Sequence, residues 1–306
     1  MSAPGASRLS GPIRTVGVVI RQRSTEIQNA LGRLTRWLEA RGVEVVLERT
    51  AHSESSDETV KLGESQRGLD LVIALGGDGT LLRAARAVVG KGVPVLGVNL
   101  GRLGFLTALP DADLEAGLGA VFGGEAVLDH RFALRGHIEG ADETKGENFF
   151  ALNDIVVHTS GVARVTPLTL EVGSTAGGWE EVGSFSADGV ILATPTGSTA
   201  YSMSAGGPII VPSVDCIVVT PICPHSLTVR PLVMPATSEI RIGSPYPTSN
   251  HQVTVDGQVH RSLAPAESVI VAREPEPVAL VRLPGQTFFT TMRHKLNWAA
   301  RYPERA

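Results

Sequence analysis

Two hydrophobic rhythms divide the chain. Up to about Gly124, short apolar runs alternate with segments of helical period. "RTVGVVI" (Arg14 to Ile20) and "VEVVLE" (Val43 to Glu48) read as strands. Between them Ile27, Leu31, Leu34 and Leu38 share one helical face, with Ser24 placed to cap its start and Gly42 its end. A polar stretch from Thr50 to Gly68 follows, without a clear period. "DLVIALGGDGTLLRAAR" (Asp70 to Arg86) then reads as a buried strand, a glycine turn and a helix, and "VPVLGVN" as the next strand. This alternation predicts a parallel sheet covered by helices. After Gly124 the runs are short and rich in Val, Ile and Thr, among them "FFALNDIVVHT", "VTPLTLEVG", "GVILATP", "CIVVTPI", "HQVTVDGQV", "ESVIVARE" and "VALVRLP". Turn residues separate them, which predicts an all-β domain of sandwich or layered type. "ADETKGEN" (Ala141 to Asn148) reads as an exposed hairpin tip. The expected organisation is a tail over 1–13, an α/β nucleotide-binding domain over 14–125 and a β-rich domain over 126–285. A C-terminal segment, 286–306, closes the chain and is expected to pack back on the first domain.

Composition narrows the function only coarsely. The 306 residues are 42% hydrophobic and 19% charged, with net charge -4. That suits a globular protein without general attraction to nucleic acid or anionic membranes. No apolar run approaches the ~20 residues of a membrane span, and the N-terminus lacks a signal-peptide core. Two cysteines, Cys216 and Cys223, are too few for a disulfide framework and lack metal-ligand spacing. These features predict a cytoplasmic protein. The histidines form no metal-ligand cluster, so no metal-binding side chain is assigned.

Four segments carry candidate chemistry. "GGDGT" sits where a strand of an open α/β sheet meets a helix N-terminus, a place that often holds phosphate. It is not a P-loop, because no G-K-[ST] follows, and Leu82 stands where the dinucleotide fingerprint needs its third glycine. Asp78 either caps the helix in a tight turn or accepts a hydroxyl proton from a ligand that Gly77 and Gly79 let approach. Arg83 either offsets phosphate charge or lies on a solvated helix face. "VLGVNLGRLGFL" places a second glycine turn at the next strand end, beside the first. Asn153 and Asp154 interrupt an apolar strand, so they need polar partners, from a ligand or from a turn network. "SADGVILATPTGSTAYSMSAGGP" offers Asp188, a loop of small hydroxyl residues and Tyr201, whose ring can pack on a planar ligand. Asp256-Gly257, beside Gln258, signals a hairpin turn.

Together, "GGDGTLLRA", "GVNLGRLGFL", "LND" and "DGVILATPTGSTAYSMSAGGPI", in this order, resemble the NAD kinase family over about Val16 to Phe289. The resemblance implies an α/β N-terminal domain with a parallel sheet and the GGDG turn, followed by an all-β C-terminal domain. This is an NAD kinase-like fold related to those of diacylglycerol kinases and phosphofructokinases. It implies phosphorylation of the 2′-hydroxyl of the adenosine ribose of NAD, giving NADP. ATP or polyphosphate would be the donor, a divalent metal such as Mg²⁺ the cofactor, and a homodimer or homotetramer the assembly.

Carried over by residue, Asp78 becomes the catalytic proton acceptor, and Gly79 and Arg83 line the NAD and phosphate region. Asn153, Asp154 and Arg164 become dinucleotide contacts, and Asp188 a contact near the nicotinamide end. Thr199, Ala200, Tyr201, Ser202, Met203 and Ser204 wrap the adenine and ribose, and Gln258 adds a further contact. The family more often carries Asn-Glu than Asn153-Asp154, and Arg164 lies in a variable stretch. A lipid or sugar kinase sharing the GGDG turn is the alternative, and a non-catalytic NAD(P) sensor the second.

Overall fold

The structure, a computed structural model, describes residues 7–9, 11–20, 24–48, 68–101, 104–140, 148–159, 166–173, 177–246, 251–264 and 266–298. The segments read above as the 50–68 stretch and the 141–148 hairpin tip lie almost wholly outside these residues, and Arg164 wholly outside them.

Along the chain come β1 (Ser7–Arg8), β2 (Thr15–Ile20), α1 (Thr25–Glu39), β3 (Glu44–Glu48), β4 (Leu71–Gly76), α2 (Asp78–Val88), β5 (Val95–Asn99), β6 (Leu109–Pro110), α3 (Leu114–Phe122) and β7 (Val127–Arg131). The β-rich part holds β8 (Leu134–Glu139), β9 (Asn148–Ala151), β10 (Asp154–Thr159), β11 (Thr166–Gly173), β12 (Trp179–Ala187), β13 (Gly189–Ala193), α4 (Tyr201–Ser204), β14 (Cys216–Ile222), β15 (Leu232–Pro235), β16 (Ile240–Gly243), β17 (His251–Val255), β18 (Val259–Leu263) and β19 (Ser268–Arg273). The chain ends with β20 (Val278–Arg282) and α5 (Phe288–Leu296). Among the described residues no helix is long and apolar enough to cross a membrane.

Two compact units result: residues 1–130 with 278–306, and residues 131–277. In the first, an eight-stranded sheet runs β1-β7-β20-β5-β4-β2-β3, with β6 beside β5. Pairings from β3 through β5 are parallel, as are those of β20 and β6 with β5. Leu34 and Leu38 of α1 pack with Val16, Ile73, Leu75 and Leu96 of the sheet in one core. Ser24 caps α1 by accepting from the Ile27 amide at 3.2 Å, while the C-cap is Ala40 and Gly42 turns the chain beyond it at φ +70°.

"VALVRLP", grouped above with the β-rich domain, belongs elsewhere. As β20 it joins the first unit's sheet between β7 and β5, so the chain returns at Val278 rather than at 286. The segment after it stays there. The Gln286 side-chain amide donates to the Ala108 carbonyl, and the Lys295 ammonium lies 5.7 Å from the centre of the Phe105 ring.

The second unit is a sandwich of two six-stranded sheets, ordered β15-β14-β13-β10-β17-β18 and β12-β11-β16-β19-β8-β9. Among the described residues its strands pair antiparallel. Ile155, Val157, Val190, Leu192, Val253 and Val255 point inward from the first sheet onto Leu134, Leu168, Ile242 and Val271 of the second. The intervening residues of β10, namely Asp154, Val156 and His158, therefore face outward, because side chains alternate along a strand.

Candidate functional site

β4 ends at Gly76, whose φ of +152° suits glycine, and a Cβ there would meet the Thr80 hydroxyl at 2.4 Å. Gly77 is the N-cap of α2 and contributes no side-chain cap, so Asp78 opens the helix as its first residue. Its carboxylate turns to the neighbouring strand's loop instead of capping. Oδ2 accepts from the Phe105 amide at 2.7 Å. Oδ1 accepts from the Leu106 and Thr107 amides, both at 3.1 Å, and from the Thr107 hydroxyl at 3.3 Å. A Cβ on Gly104 would fall 1.8 Å from Oδ1, so the loop passes against the carboxylate only because it has glycine there. The negative charge is thus balanced by a ring of N–H donors. Oδ1 is filled, while Oδ2 holds one donor and keeps room for a second. Arg83 reaches Glu48 at 3.0 Å; Glu48 is buried.

The second unit holds a cavity of about 600 Å³ lined by Asn153, Asp154, Val156, His158, Thr159, Asp188, Ala200, Tyr201, Ile222, Thr254, Asp256 and Gly257. Its size falls within the range of small-molecule sites, about 300–1,000 Å³. It lies along the outward face of β10, with the Tyr201 turn and the 256–257 hairpin contributing to its lining. The hairpin is tight: three residues join its strands, Asp256 and Gly257 take φ +49° and +64°, and the Gln258 amide donates to the Val255 carbonyl at 2.9 Å. Asp256 does more than turn the chain. Its carboxylate accepts from the Leu152, Asn153 and Asp154 amides at 3.2, 2.8 and 3.2 Å. This clamps the start of β10 to the hairpin. Asp154 is 5% exposed. Burial, and then the charge of Asp256, pushes its carboxyl up from 3.8 to about 7.

The Thr-Pro-Thr-Gly-Ser-Thr run, residues 194–199, leads into the lining residues Ala200 and Tyr201. The Thr194 hydroxyl donates to the Leu152 carbonyl at 2.6 Å and accepts from the Gly197 amide at 2.9 Å. Gly197 packs flat on the backbone of Asn153; a Cβ there would sit 2.0 Å from the Asn153 carbonyl oxygen. Buried Arg131 supports the loop from behind, donating to the Thr196 hydroxyl at 3.1 Å. The loop delivers Tyr201, 47% exposed, to the rim.

Residues 16–126 match the ATP-NAD kinase N-terminal domain, and residues 152–283 match the ATP-NAD kinase C-terminal domain. The chain belongs to the NAD kinase family. A family member, the NAD kinase of Solibacter usitatus, is 41% identical over 295 residues, covering 94% of this chain and 99% of that protein. The NAD kinase of Gemmatimonas aurantiaca is 48% identical over 230 residues, 75% of this chain and 78% of that protein. Among solved structures, yeast NADH kinase complexed with NADH superposes with TM-score 0.84 at 27% identity, covering all of this chain and 95% of that one. An NAD kinase from Archaeoglobus fulgidus in complex with ATP gives 0.71 at 26% identity, over 92% and 98%. The α/β and antiparallel β halves are thus the fold of NAD kinases.

Of the residues singled out from sequence, the cavity gathers Asn153, Asp154, Asp188, Ala200 and Tyr201. Thr199 instead bonds the Thr196 carbonyl at 3.2 Å, and Ser202 is buried against the Thr220 hydroxyl at 2.8 Å. Met203, Ser204 and Gln258 are not among the lining residues. Asp78, Gly79 and Arg83 belong to the other unit. Sequence reasoning passed over Asp256, His158 and Thr254. The alternation along β10 was the available signal for His158, since placing Asp154 in a site puts residue 158 on the same face. Val156 pairs in register with Thr254, which carries that face onto β17.

Proposed function

We propose that this protein transfers the γ-phosphoryl group of ATP to the 2′-hydroxyl of the adenosine ribose of NAD, giving NADP and ADP. The observation that carries the reading is the match of both halves of the chain, in order, to the two domains of ATP-NAD kinases. The ATP bound to the Archaeoglobus fulgidus protein and the NADH bound to the yeast protein support the choice of donor and of dinucleotide.

In this reading the cavity of residues 131–277 takes the dinucleotide. Tyr201 offers its ring to a base, while Asn153 and Asp154 meet ribose hydroxyls. Asp78 accepts the 2′-hydroxyl proton on Oδ2 as the ribose oxygen attacks the γ-phosphorus and the bond to the β–γ bridging oxygen breaks. Gly79 and Arg83, and likewise Arg164, Asp188, Gln258 and the 199–204 run, belong to the same proposal as nucleotide contacts. Among the described residues no three His, Cys, Asp or Glu side chains gather as metal ligands. The family's Mg²⁺ would therefore be carried mostly by the donor's phosphates, whose charge it would neutralise. A cytoplasmic location and a homodimer or homotetramer complete the reading.

The test is NADP formation, followed with ATP or polyphosphate as donor and NAD, NADH, diacylglycerol or fructose 6-phosphate as acceptor. NADP formation with ATP is expected, and phosphorylation of only the lipid or the sugar would overturn the reading. Asp78→Asn is expected to bind NAD and to lose about 10²–10⁴-fold in kcat, the usual contribution of a positioned proton acceptor. Near-normal turnover would remove Asp78 from the mechanism.

A further inference from the structure

The cavity has an uneven charge. Three of its lining residues are aspartates, and His158 is the only one of the twelve described lining residues whose side chain can carry positive charge. A dinucleotide brings an anionic pyrophosphate into these surroundings. Asp256 is held by three amides, and Asp154 becomes at best neutral when it takes a proton. Among the described lining residues, only His158 can turn repulsion into attraction.

Its hydrogen bonds suit that task. Nδ1 lies 3.1 Å from the Thr159 carbonyl oxygen. A carbonyl only accepts, so Nδ1 carries a proton in either charge state. Nε2 lies 2.9 Å from the Thr254 hydroxyl oxygen, which lies 3.0 Å from Nδ1 of exposed His260. The chain closes in two senses. With His158 neutral, His260 donates to the Thr254 oxygen and the Thr254 hydroxyl donates to Nε2 of His158. With His158 protonated, Nε2 donates to the Thr254 oxygen and that hydroxyl donates to Nδ1 of His260. Every donor has an acceptor in both. One proton taken from water at Nε2 of His260 moves the two shared protons one place along and leaves a proton on Nε2 of His158. The route runs from β18 through β17 to β10 along the cavity wall, where Thr254 and His158 are lining residues, and it reaches solvent at exposed His260.

We infer that His158 is a binding residue of the dinucleotide site, which takes up a proton through Thr254 and His260 when the ligand's pyrophosphate occupies the cavity. The inference rests on the reading that this cavity holds the dinucleotide. The other titratable groups around His158 are Asp154 on its own strand, Asp188 at the start of β13, Asp256 on the hairpin, Tyr201 at the rim, His260 on β18 and His251, whose register places it on the inward side of β17. A pyrophosphate brought close to the ring would favour its protonated form, because opposite charge within about 4–6 Å stabilises it.

The experiment is calorimetric titration of the whole protein with NAD at about pH 7.5, in buffers of different ionisation enthalpy. The dependence of the heat on buffer gives the protons bound. An uptake on the order of 0.3–0.7 proton per dinucleotide is expected, as for a histidine moved through neutrality by a nearby anion. His158→Gln is expected to abolish it and to weaken binding several-fold. Thr254→Val, which removes the acceptor of the Nε2 proton, is expected to reduce it. Nitrogen-15 chemical shifts of the His158 ring in the unsubstituted protein give a second readout: the doubly protonated share of the ring is expected to rise when NAD is added. Binding heat that is the same in all buffers, uptake that survives in His158→Gln, or an unchanged ring state each overturn the inference while leaving the cavity as the dinucleotide site. Absence of binding overturns the cavity reading and the inference with it.

Discussion

Asp154 shows how much one methylene and one neighbour can set. It is a short acid at the start of a strand, buried, with the Asp256 carboxylate beside it, and its pKa rises to about 7. The unfolded chain releases this proton near the ordinary 3.8. Between the two values the folded state holds a proton that the unfolded state has lost. Stability from this group is therefore complete below about pH 4, falls as pH rises, and stops falling above about pH 7. Asp154→Asn cannot ionise and escapes the loss. Urea midpoints over a pH series should place the Asn variant close to the parent near about pH 4 and more stable by roughly 2–4 kcal/mol near about pH 8. A gap that narrows with rising pH would contradict the burial of an ionisable acid here. Asp78 is held by different contacts: three amides and a hydroxyl donate to its carboxylate.

At the scale of elements, two glycines separate holding the proposed proton acceptor from holding the chain. Gly104 passes the end of the Asp78 side chain, with the missing Cβ 1.8 Å from Oδ1. Gly197 passes the Asn153 backbone, with the missing Cβ 2.0 Å from the carbonyl oxygen. A carboxylate can rotate away; a peptide in a strand-flanking bend cannot do so cheaply. Gly104→Ala is therefore expected to fold, with a stability loss smaller than that of Gly197→Ala. Its kcat should fall by 10-fold or more on the order of the proton-acceptor contribution, since Asp78 is displaced from the 105–107 amides. Gly197→Ala must move backbone, tearing the Thr194 bridge between Leu152 and Gly197. It is expected to lose about 2–3 kcal/mol or more and to raise the KM for NAD. Thermal melts and steady-state kinetics on the pair decide it, and equal melting losses would refute the distinction. The glycines were visible in the sequence, but what each one approaches was not. Gly197 and Asn153 are far apart in the chain, and the D-G of the hairpin is so general a turn signal that it concealed the Asp256 clamp.

Across the whole molecule, the legible parts are those with a clear period. The leucine stripe of α1 and the valine-rich runs of β2 to β5 identify a parallel sheet, and inward-outward alternation such as that of β17 identifies the sandwich. β20 escaped because it was read by composition. All five of its residues are buried, the mark of a strand covered on both faces, whereas β17 alternates buried and half-buried positions. That strand makes the first unit discontinuous, and the discontinuity has a consequence for folding. The second unit contains both six-stranded sheets and one complete core within 131–277. The first lacks an interior strand until the chain has returned to Val278, so residues 1–130 alone would leave β7 and the Val95 end of β5 without their shared neighbour and the core without Val281. A fragment of residues 131–277 is expected to unfold in one cooperative transition by circular dichroism and to retain the pH signature of Asp154. A fragment of residues 1–130 is expected to show none. Adding a peptide of residues 278–306 should restore a transition to it, by giving the sheet its missing strand. Cooperative folding of 1–130 alone would show that β20 completes a sheet already formed rather than helping to form it.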